Sequence, residues 1–464
     1  MGLCSSFDPE KVLKIALGRG GEFADIFIED AVKTNITYED KKIEKVTTGV
    51  DKGCGIRVIA GQKTFYAYTN EITEKALTDL ARALAKGVAG GSPGVEIPAM
   101  KRQNAGGFAI EQRPSDAGLA EKADLVIRAD RAARGFDKRV VQVKALYSDS
   151  VRKLAMINSL GQWVEEEKTG LVFFTSAIAR DGEVLQTGYE PLGGALGLEA
   201  FTETPPEEVG LAAAARAVQM LGAKKAPAGA MAVVLSSEAG GTMIHEAVGH
   251  GLEADLALAG LSVYSDRIGE EVASPLITVI DDGTIPFKRG SAFFDEEGTP
   301  TQRSVLIENG VLKGYMLDRL SAMKAGGATK STGNGRRQSY QFKPIPRMTN
   351  TMIAPGETRP GEIVSSLEKG LFVKKMGGGQ VNTVNGDFVF EVTEGYIIEK
   401  GKVADPVRGA TITGNGPDIL KKIDMVGSDL GFGIGTCGKD AQGVPVADAQ
   451  PTLRIPEITV GGGI

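Results

Sequence analysis

Only two histidines occur in the 464 residues, and they stand five apart in His245-Glu246-Ala-Val-Gly-His250. Imidazole is the commonest side-chain metal ligand, and a glutamate beside it suits a base acting on water. In the H-E-x-x-H pattern the two rings lie about 40° apart around a helix, so both reach one ion. Here the spacing is one residue longer. On a regular helix that turns the rings roughly 140° apart, too far for one ion. A single π-bulge absorbs one residue and restores the alignment, and so does a helix that ends at Gly249, where glycine makes a deviation cheap. The pattern predicts a metal centre on His245 and His250 with Glu246 beside it.

Two imidazoles hold a catalytic ion poorly, because such sites usually take three protein ligands and keep one position open. Glu253, Asp255 and Cys437 are the candidates for the third. A thiolate binds zinc or iron strongly, and Cys437 lies among glycines in Gly433-Ile-Gly-Thr-Cys437-Gly-Lys439, where close approach is easy. Cys54, in Lys52-Gly-Cys-Gly-Ile56, has a similar setting. Spacing leaves the choice open. Elsewhere, Gly333-Asn-Gly-Arg336-Arg337 suits either a cradle for phosphate or a peptide carboxylate, or a turn with solvated arginines. Gly377-Gly378-Gly379-Gln380 lacks the lysine of a phosphate loop and suits a turn or a wall for a substrate strand.

These residues need a scaffold of two halves. The length exceeds one typical domain, and 42% hydrophobic with 24% charged residues excludes disordered and fibrous chains. Helical spacing marks segments opening at Asp8 and spanning about 71–86, 116–133 and 206–221. Strand-like runs fall at 24–28, 35–39, 55–60, 64–68, 140–146, 154–157 and 171–179, with a glycine- and proline-rich loop over 87–107. Meandering strands imply a largely antiparallel sheet. The fold class is α+β. A small-residue linker at 222–229 places the boundary between an N-terminal α+β domain, 1–223, and a β-rich C-terminal domain, 224–464. The second domain opens with a strand at 231–235 and a helix from about Ser237 to Leu252 that carries the histidines. Hairpin signals follow at Asp282-Gly283, Asn309-Gly310, Asn385-Gly386 and Lys400-Gly401.

The charge of 53 − 59 = −6, without a long basic block, makes nucleic acid an unexpected direct partner. Three cysteines form no disulfide framework and suit a reducing compartment. The first residues lack a signal-peptide pattern and no run reaches the roughly 18 apolar residues of a membrane span, so the expectation is a cytoplasmic protein away from the membrane.

Six stretches of the second half together resemble the TldD/PmbA metalloprotease family, specifically its TldD branch. They are Gly241-Thr-Met-Ile-His-Glu-Ala-Val-Gly-His-Gly-Leu-Glu-Ala-Asp255, Glu297-Gly-Thr-Pro-Thr-Gln302, Thr332-Gly-Asn-Gly-Arg-Arg-Gln-Ser339, Gly377-Gly-Gly-Gln-Val381, Gly414-Asn-Gly-Pro417 and Gly435-Thr-Cys-Gly-Lys439. The resemblance implies His245, His250 and Cys437 as ligands of one divalent ion, zinc or alternatively iron, and Glu246 as catalytic base. It also implies a homodimer, or a heterodimer with a PmbA-type relative lacking the His-Glu motif, that encloses the sites in a chamber. On this reading the chain is a metallopeptidase acting on unfolded or extended polypeptides. Arg336, Arg337, Gly377, Gly378 and Gly379 are the further substrate-binding candidates. The alternative is a peptide-binding or regulatory partner of the kind that modulates DNA gyrase or toxin-antitoxin systems. The intact His-Glu motif favours cleavage, because a pure binding subunit has no reason to keep it. A small-molecule deaminase is disfavoured, since its cysteine pair is missing.

Overall fold

The computed structural model describes residues 3–88, 96–326 and 329–462. Asp8 caps helix α1 (Pro9–Ala16) by accepting from the Glu10 and Lys11 N–H groups, with proline in the first turn. Strands β1 (Phe23–Glu39), β2 (Lys42–Ala60) and β3 (Lys63–Thr69) follow, then α2 (Glu74–Gly87), β4 (Lys101–Gly106) and α3 (Leu119–Phe136). Next come β5 (Val140–Asn158), β6 (Gln162–Asp181), β7 (Val184–Gly194), α4 (Ala200–Glu203) and α5 (Pro206–Leu221). The seven strands form one sheet in the order β3-β2-β1-β5-β6-β4, with β7 also on β6. Every pairing is antiparallel except β4 with β6.

The strands are longer than their apolar runs suggested. The runs at 24–28 and 35–39 are one strand of 17 residues, and those at 140–146 and 154–157 are one of 19. Neither junction contains glycine or proline, and the polar residues between the runs pair across the ladder; Asp149 is buried and bound to Lys122 at 2.6 Å. Residues 89–95 of the expected loop lie outside the described residues, and 101–106 turn out to be β4. Helices cover one face of the sheet. Val12 and Leu77 pack on Ile26, Ile28 and Ala155, and Val126 on Ile36 and Tyr147. The opposite face offers Phe27, Leu154 and Met156, which pack on Phe294 and Tyr340 from the second half of the chain.

That half continues with β8 (Lys224–Lys225), β9 (Gly229–Leu235), β10 (Val279–Asp282), β11 (Arg303–Glu308), β12 (Val311–Leu312), β13 (Gly335–Arg336), β14 (Ile345–Pro346) and β15 (Asn350–Ile353). It ends with β16 (Lys369–Val381), β17 (Asp387–Glu399), β18 (Lys402–Arg408), β19 (Thr411–Asn415), β20 (Met425–Val426), β21 (Gly431–Lys439), β22 (Gln442–Gln450) and β23 (Leu453–Gly461). An eight-stranded sheet runs β16-β9-β23-β19-β17-β18-β8, with β20 on β23, and a six-stranded sheet runs β12-β11-β10-β15-β22-β21. Asn309-Gly310 and Lys400-Gly401 close hairpins with positive φ at both residues, as their types require. The segment bearing the histidines lies between these two sheets. Its Met243, Ile244, Ala247, Val248 and Leu252 share one buried cluster with Val373 and Phe390 of one sheet and Ile353 and Val446 of the other.

Candidate metal centre

After β9 the chain turns through Gly240 and Gly241, both left-handed at φ 80° and 78°. A side chain at 241 would also press on the Ala449 backbone at 2.5 Å, so this turn needs glycine twice over. A helical turn over Thr242–Ile244 follows, then a π turn over His245–Gly249, then a 3-10 turn over His250–Leu252. The π turn closes with the His250 N–H donating to the His245 carbonyl, five residues back. That bond takes up the extra residue and faces the two rings toward each other, with centroids 5.2 Å apart. The expected continuous helix over 237–252 is therefore broken into short pieces. Gly249 keeps ordinary helical angles, φ −55° and ψ −52°, so conformational freedom is not its role. It is there for space, because Met348 fills the position a Cβ would take.

Cys437 arrives on β21 with its Sγ 3.4 Å from His250 Nε2, and the ligand atoms of His245, His250 and Cys437 lie within 4.8 Å of one another. Zinc bonds of about 2.0–2.1 Å to nitrogen and 2.3 Å to sulfur place the two donors roughly 3.5 Å apart at a tetrahedral angle. Two imidazoles and a thiolate at this separation fit one divalent ion. Burial pushes the Cys437 thiol up, but hydrogen bonds and charge from His245 and His250 outweigh it and hold the thiol at about 5. Burial pushes His250 down, and Glu253 and then Cys437 more than reverse this, raising it to about 10. The two histidines thus favour the thiolate, the form a ligand must take.

Glu253 does not face this cluster from the ligand side. It is fully buried and its Oε2 accepts from His250 Nδ1 at 2.9 Å and from Lys439 at 3.0 Å, while Arg347 Nε stands 3.7 Å from Oε1. Burial opposes its charge, yet His250, Lys439 and Arg347 together hold the carboxyl at about 2. An ionised carboxylate only accepts, so Nδ1 carries the proton and Nε2 is turned to the sulfur side. Asp255 binds Lys439 at 2.6 Å. Arg347 also donates to the Cys437 carbonyl, tying that strand to Glu253. His245 is supported differently: its Nδ1 is buried without a hydrogen bond, and Asp448 Oδ2 stands 3.9 Å away. Burial raises the Asp448 carboxyl to about 6, lowered by His245 and raised again by Glu246. Asp448, Arg347 and Lys439 escaped the sequence reading, although an acid between alanines in Val446-Ala-Asp448-Ala449 is a signal for a buried, employed carboxylate.

The centre forms part of the lining of a cleft of about 1000 Å³. Glu246 lines it beside His245, His250, Cys437 and Asp448, and makes no ion pair among the described residues. β21 is the edge of its sheet, pairs only with β22, and lines the cleft from Phe432 to Gly438. Gly377 and Gly378 form part of another wall, where the β16–β17 ladder passes from Met376 directly to Gly379 and leaves both unpaired; Gly379 is not in the wall. The first half contributes Tyr189 and Glu190 of β7 and Arg216 of α5. Arg336 and Arg337 depart from expectation. Both are buried away from this cleft: Arg336 donates to the Met348 and Pro445 carbonyls, and Arg337 donates to the Glu296 carbonyl and stacks over Phe27. Neither residue lines this cleft, and the donors named here serve buried carbonyls.

Acid should dismantle the cluster. Thiolate and neutral imidazole must be free of the competing proton to hold an ion, so on the proposed ligand set protons displace the metal as pH falls. Metal content after desalting at stepped pH is expected to hold at neutrality and to fall progressively in acid. An acid profile that Cys437→Ala leaves unchanged would remove Cys437 from the ligand set.

A cysteine and two histidines meeting in a large cleft of an α+β protein form a candidate metal centre. Comparison with known proteins specifies the class. Residues 24–88, 112–221 and 228–462 match, in turn, domain 1, the central domain and the C-terminal domain of the PmbA/TldA metallopeptidases. A metalloprotease TldD homolog of Haemophilus influenzae is 38% identical over 97% of this chain and 95% of its own. A metalloprotease of Methanothermobacter thermautotrophicus is 36% identical over 95% and 96%. Among solved structures, a candidate DNA gyrase modulator from Thermotoga maritima superposes with a TM-score of 0.78 at 25% identity, covering 95% of this chain and 96% of that one. TldE from Thermococcus kodakarensis shares the fold with a TM-score of 0.77 at 18% identity, covering 98% and 99%. The chain belongs to the PmbA/TldA metallopeptidase family, on its TldD side, and is a metallopeptidase. No helix among the described residues is long and apolar enough to cross a membrane.

Proposed function

We propose that the chain hydrolyses unfolded or extended polypeptides at one divalent ion, zinc or alternatively iron, held by His245, His250 and Cys437. The observation that carries this reading is the approach of three donor atoms to within 4.8 Å in a cleft walled by an unpaired strand edge. When bound, the ion supplies Lewis acidity, polarising the scissile carbonyl and making a water easier to deprotonate. Glu246 is the base. Its carboxylate, unpaired and in the cleft wall, takes the proton of the attacking water and returns it to the leaving amine nitrogen, so no covalent intermediate forms. Glu253 fixes the tautomer and orientation of His250, and Asp448 is placed to do the same for His245.

Substrate is held as an added strand. The free edge of β21 and the unpaired Gly377-Gly378 backbone offer main-chain donors and acceptors on the cleft walls, and main-chain bonding favours extended chains of loosely defined sequence. Residues 224–464 supply the metal centre, and residues 1–223 add a wall through Tyr189, Glu190 and Arg216. The assembly we infer is a dimer, with itself or with a PmbA-type relative, enclosing the clefts in a chamber. The three free cysteines favour the cytoplasm as its compartment. A regulatory, non-cleaving role of the gyrase-modulator kind is the alternative, and the unpaired Glu246 beside the trio favours cleavage over it.

The test offers one polypeptide in folded and destabilised forms with the same scissile sequences. The destabilised form is expected to be cut on the order of tenfold faster or more, since only an extended segment can pair with a strand edge. Equal rates would remove the strand-addition reading, and a single cleavage site fixed by side-chain identity would favour a specificity pocket.

A further inference from the structure

A second cavity, of about 250 Å³, lies between the face of the seven-stranded sheet opposite its helices and the second half of the chain. Its charged lining is lopsided. Lys33, Arg152, Lys168, Arg289 and Arg336 face Glu296 and an Asp149 already bound to Lys122. Glu296 alone is shared among three of these cations, at 3.0 Å from Lys168, 3.9 Å from Arg152 and 4.0 Å from Arg336. Arg152 and Lys168 have further help from Glu29 and Glu166. Lys33 and Arg289 make no ion pair among the described residues. Arg289 donates only to neutral oxygens, from Nε to the Gly435 carbonyl at 3.0 Å and from Nη2 to Thr436 Oγ1 at 3.2 Å. Burial and the neighbouring Arg336 lower it to about 10, so its charge is opposed by what surrounds it.

Lys33 and Arg289, left without a carboxylate at one cavity, create a positive potential that an anion relieves, and guanidinium groups bind oxyanions through paired donors. We propose that this cavity is an oxyanion site, taking a single carboxylate or phosphate group at Arg289 and Lys33. The volume suits one such group with a few waters and is too small for a nucleotide. Thr436 lines both this cavity and the metal cleft, and Arg289 holds the carbonyl of Gly435, two residues before Cys437. An anion here therefore sits behind the strand that carries Cys437. Two sources share the chemistry: a free anion from solution, or the C-terminal carboxylate of a peptide lying along β21. Only the second rests on the peptidase reading.

The experiment titrates inorganic phosphate into metal-loaded and chelator-stripped protein at constant ionic strength, following heat release and thermal midpoint. A saturable response is expected in both preparations, which separates it from phosphate at the metal. Arg289→Gln and, independently, Lys33→Gln should weaken it about tenfold each, the loss of one charge-assisted contact, while thermal unfolding in chloride shows that each variant folds. No saturable response, or one unmoved by both variants, overturns the site. Cleavage of one peptide with a free and an amidated C-terminus then identifies the source. A KM advantage of the free acid that disappears in Arg289→Gln assigns the site to the substrate carboxylate, and an unchanged KM ratio with intact phosphate binding assigns it to a free anion. Failure of all cleavage would refute the peptidase reading and leave the phosphate result standing.

Discussion

Cys437→Ala is expected to emerge from purification without metal and without peptidase activity. The thiolate is the only anionic member of the trio, and a lost ligand typically removes an ion that two neutral imidazoles cannot retain. The other two cysteines provide the control. Cys4 and Cys54 are buried in the first half, and burial pushes both thiols up, Cys4 to about 12, where they behave as small apolar groups. Cys4→Ala and Cys54→Ala should keep metal and activity, with at most some loss of stability from the packing around them. Full metal occupancy in Cys437→Ala, measured by elemental analysis of fresh protein, would reject the thiolate. With Glu253 bound to His250 and Lys439, and Asp255 bound to Lys439, no other residue considered for the third ligand is then at hand.

Glu246→Gln is expected to keep metal near the wild-type level and to lower turnover by on the order of 10² or more, the usual worth of a positioned base. The amide preserves shape and can still bond to water, but it cannot accept the proton. Because Glu246 makes no ion pair, the substitution leaves no buried charge without a partner. Stability should therefore be nearly unchanged, and a drop in rate is attributable to chemistry. Turnover like that of the wild type in a metal-replete variant would reject the role. A drop in metal content would instead make Glu246 a ligand.

The site was legible where chemistry is local in the chain. Two histidines and a glutamate within six residues announce themselves, and the five-residue spacing demanded the π turn or a helix end, of which the structure has the turn. Cys437 was one of three candidates on the residues alone, because a contact across 187 positions leaves no periodic trace. Asp448, Arg347 and Lys439 were missed for the same reason, as each acts through a strand pairing or a buried ion pair. Arg336 and Arg337 lie outside the metal cleft. Arginines among glycines look like an exposed anion cradle, but here their guanidinium groups bridge buried carbonyls, which a sequence cannot distinguish. In the fold, the α+β class and the helices over 9–16, 74–87 and 206–221 were readable from apolar spacing and capping residues. The strands were read short, since ladders of 17 to 20 residues carry polar stretches on pairing alone.

The contact between His250 and Cys437 also bears on how the protein is made. An ion held by both closes a loop of 187 residues, and with closure entropy growing as the logarithm of loop length such a clasp restricts the unfolded chain by on the order of 5 kcal/mol. During synthesis the N-terminal parts emerge and fold first. The two imidazoles are therefore exposed to metal well before the thiolate exists, and β21 takes its place only after β22 has followed it off the ribosome. On the proposed ligand set, assembly of the centre therefore waits until β21 and β22 have been made, and a chain cut before Cys437 lacks its third ligand.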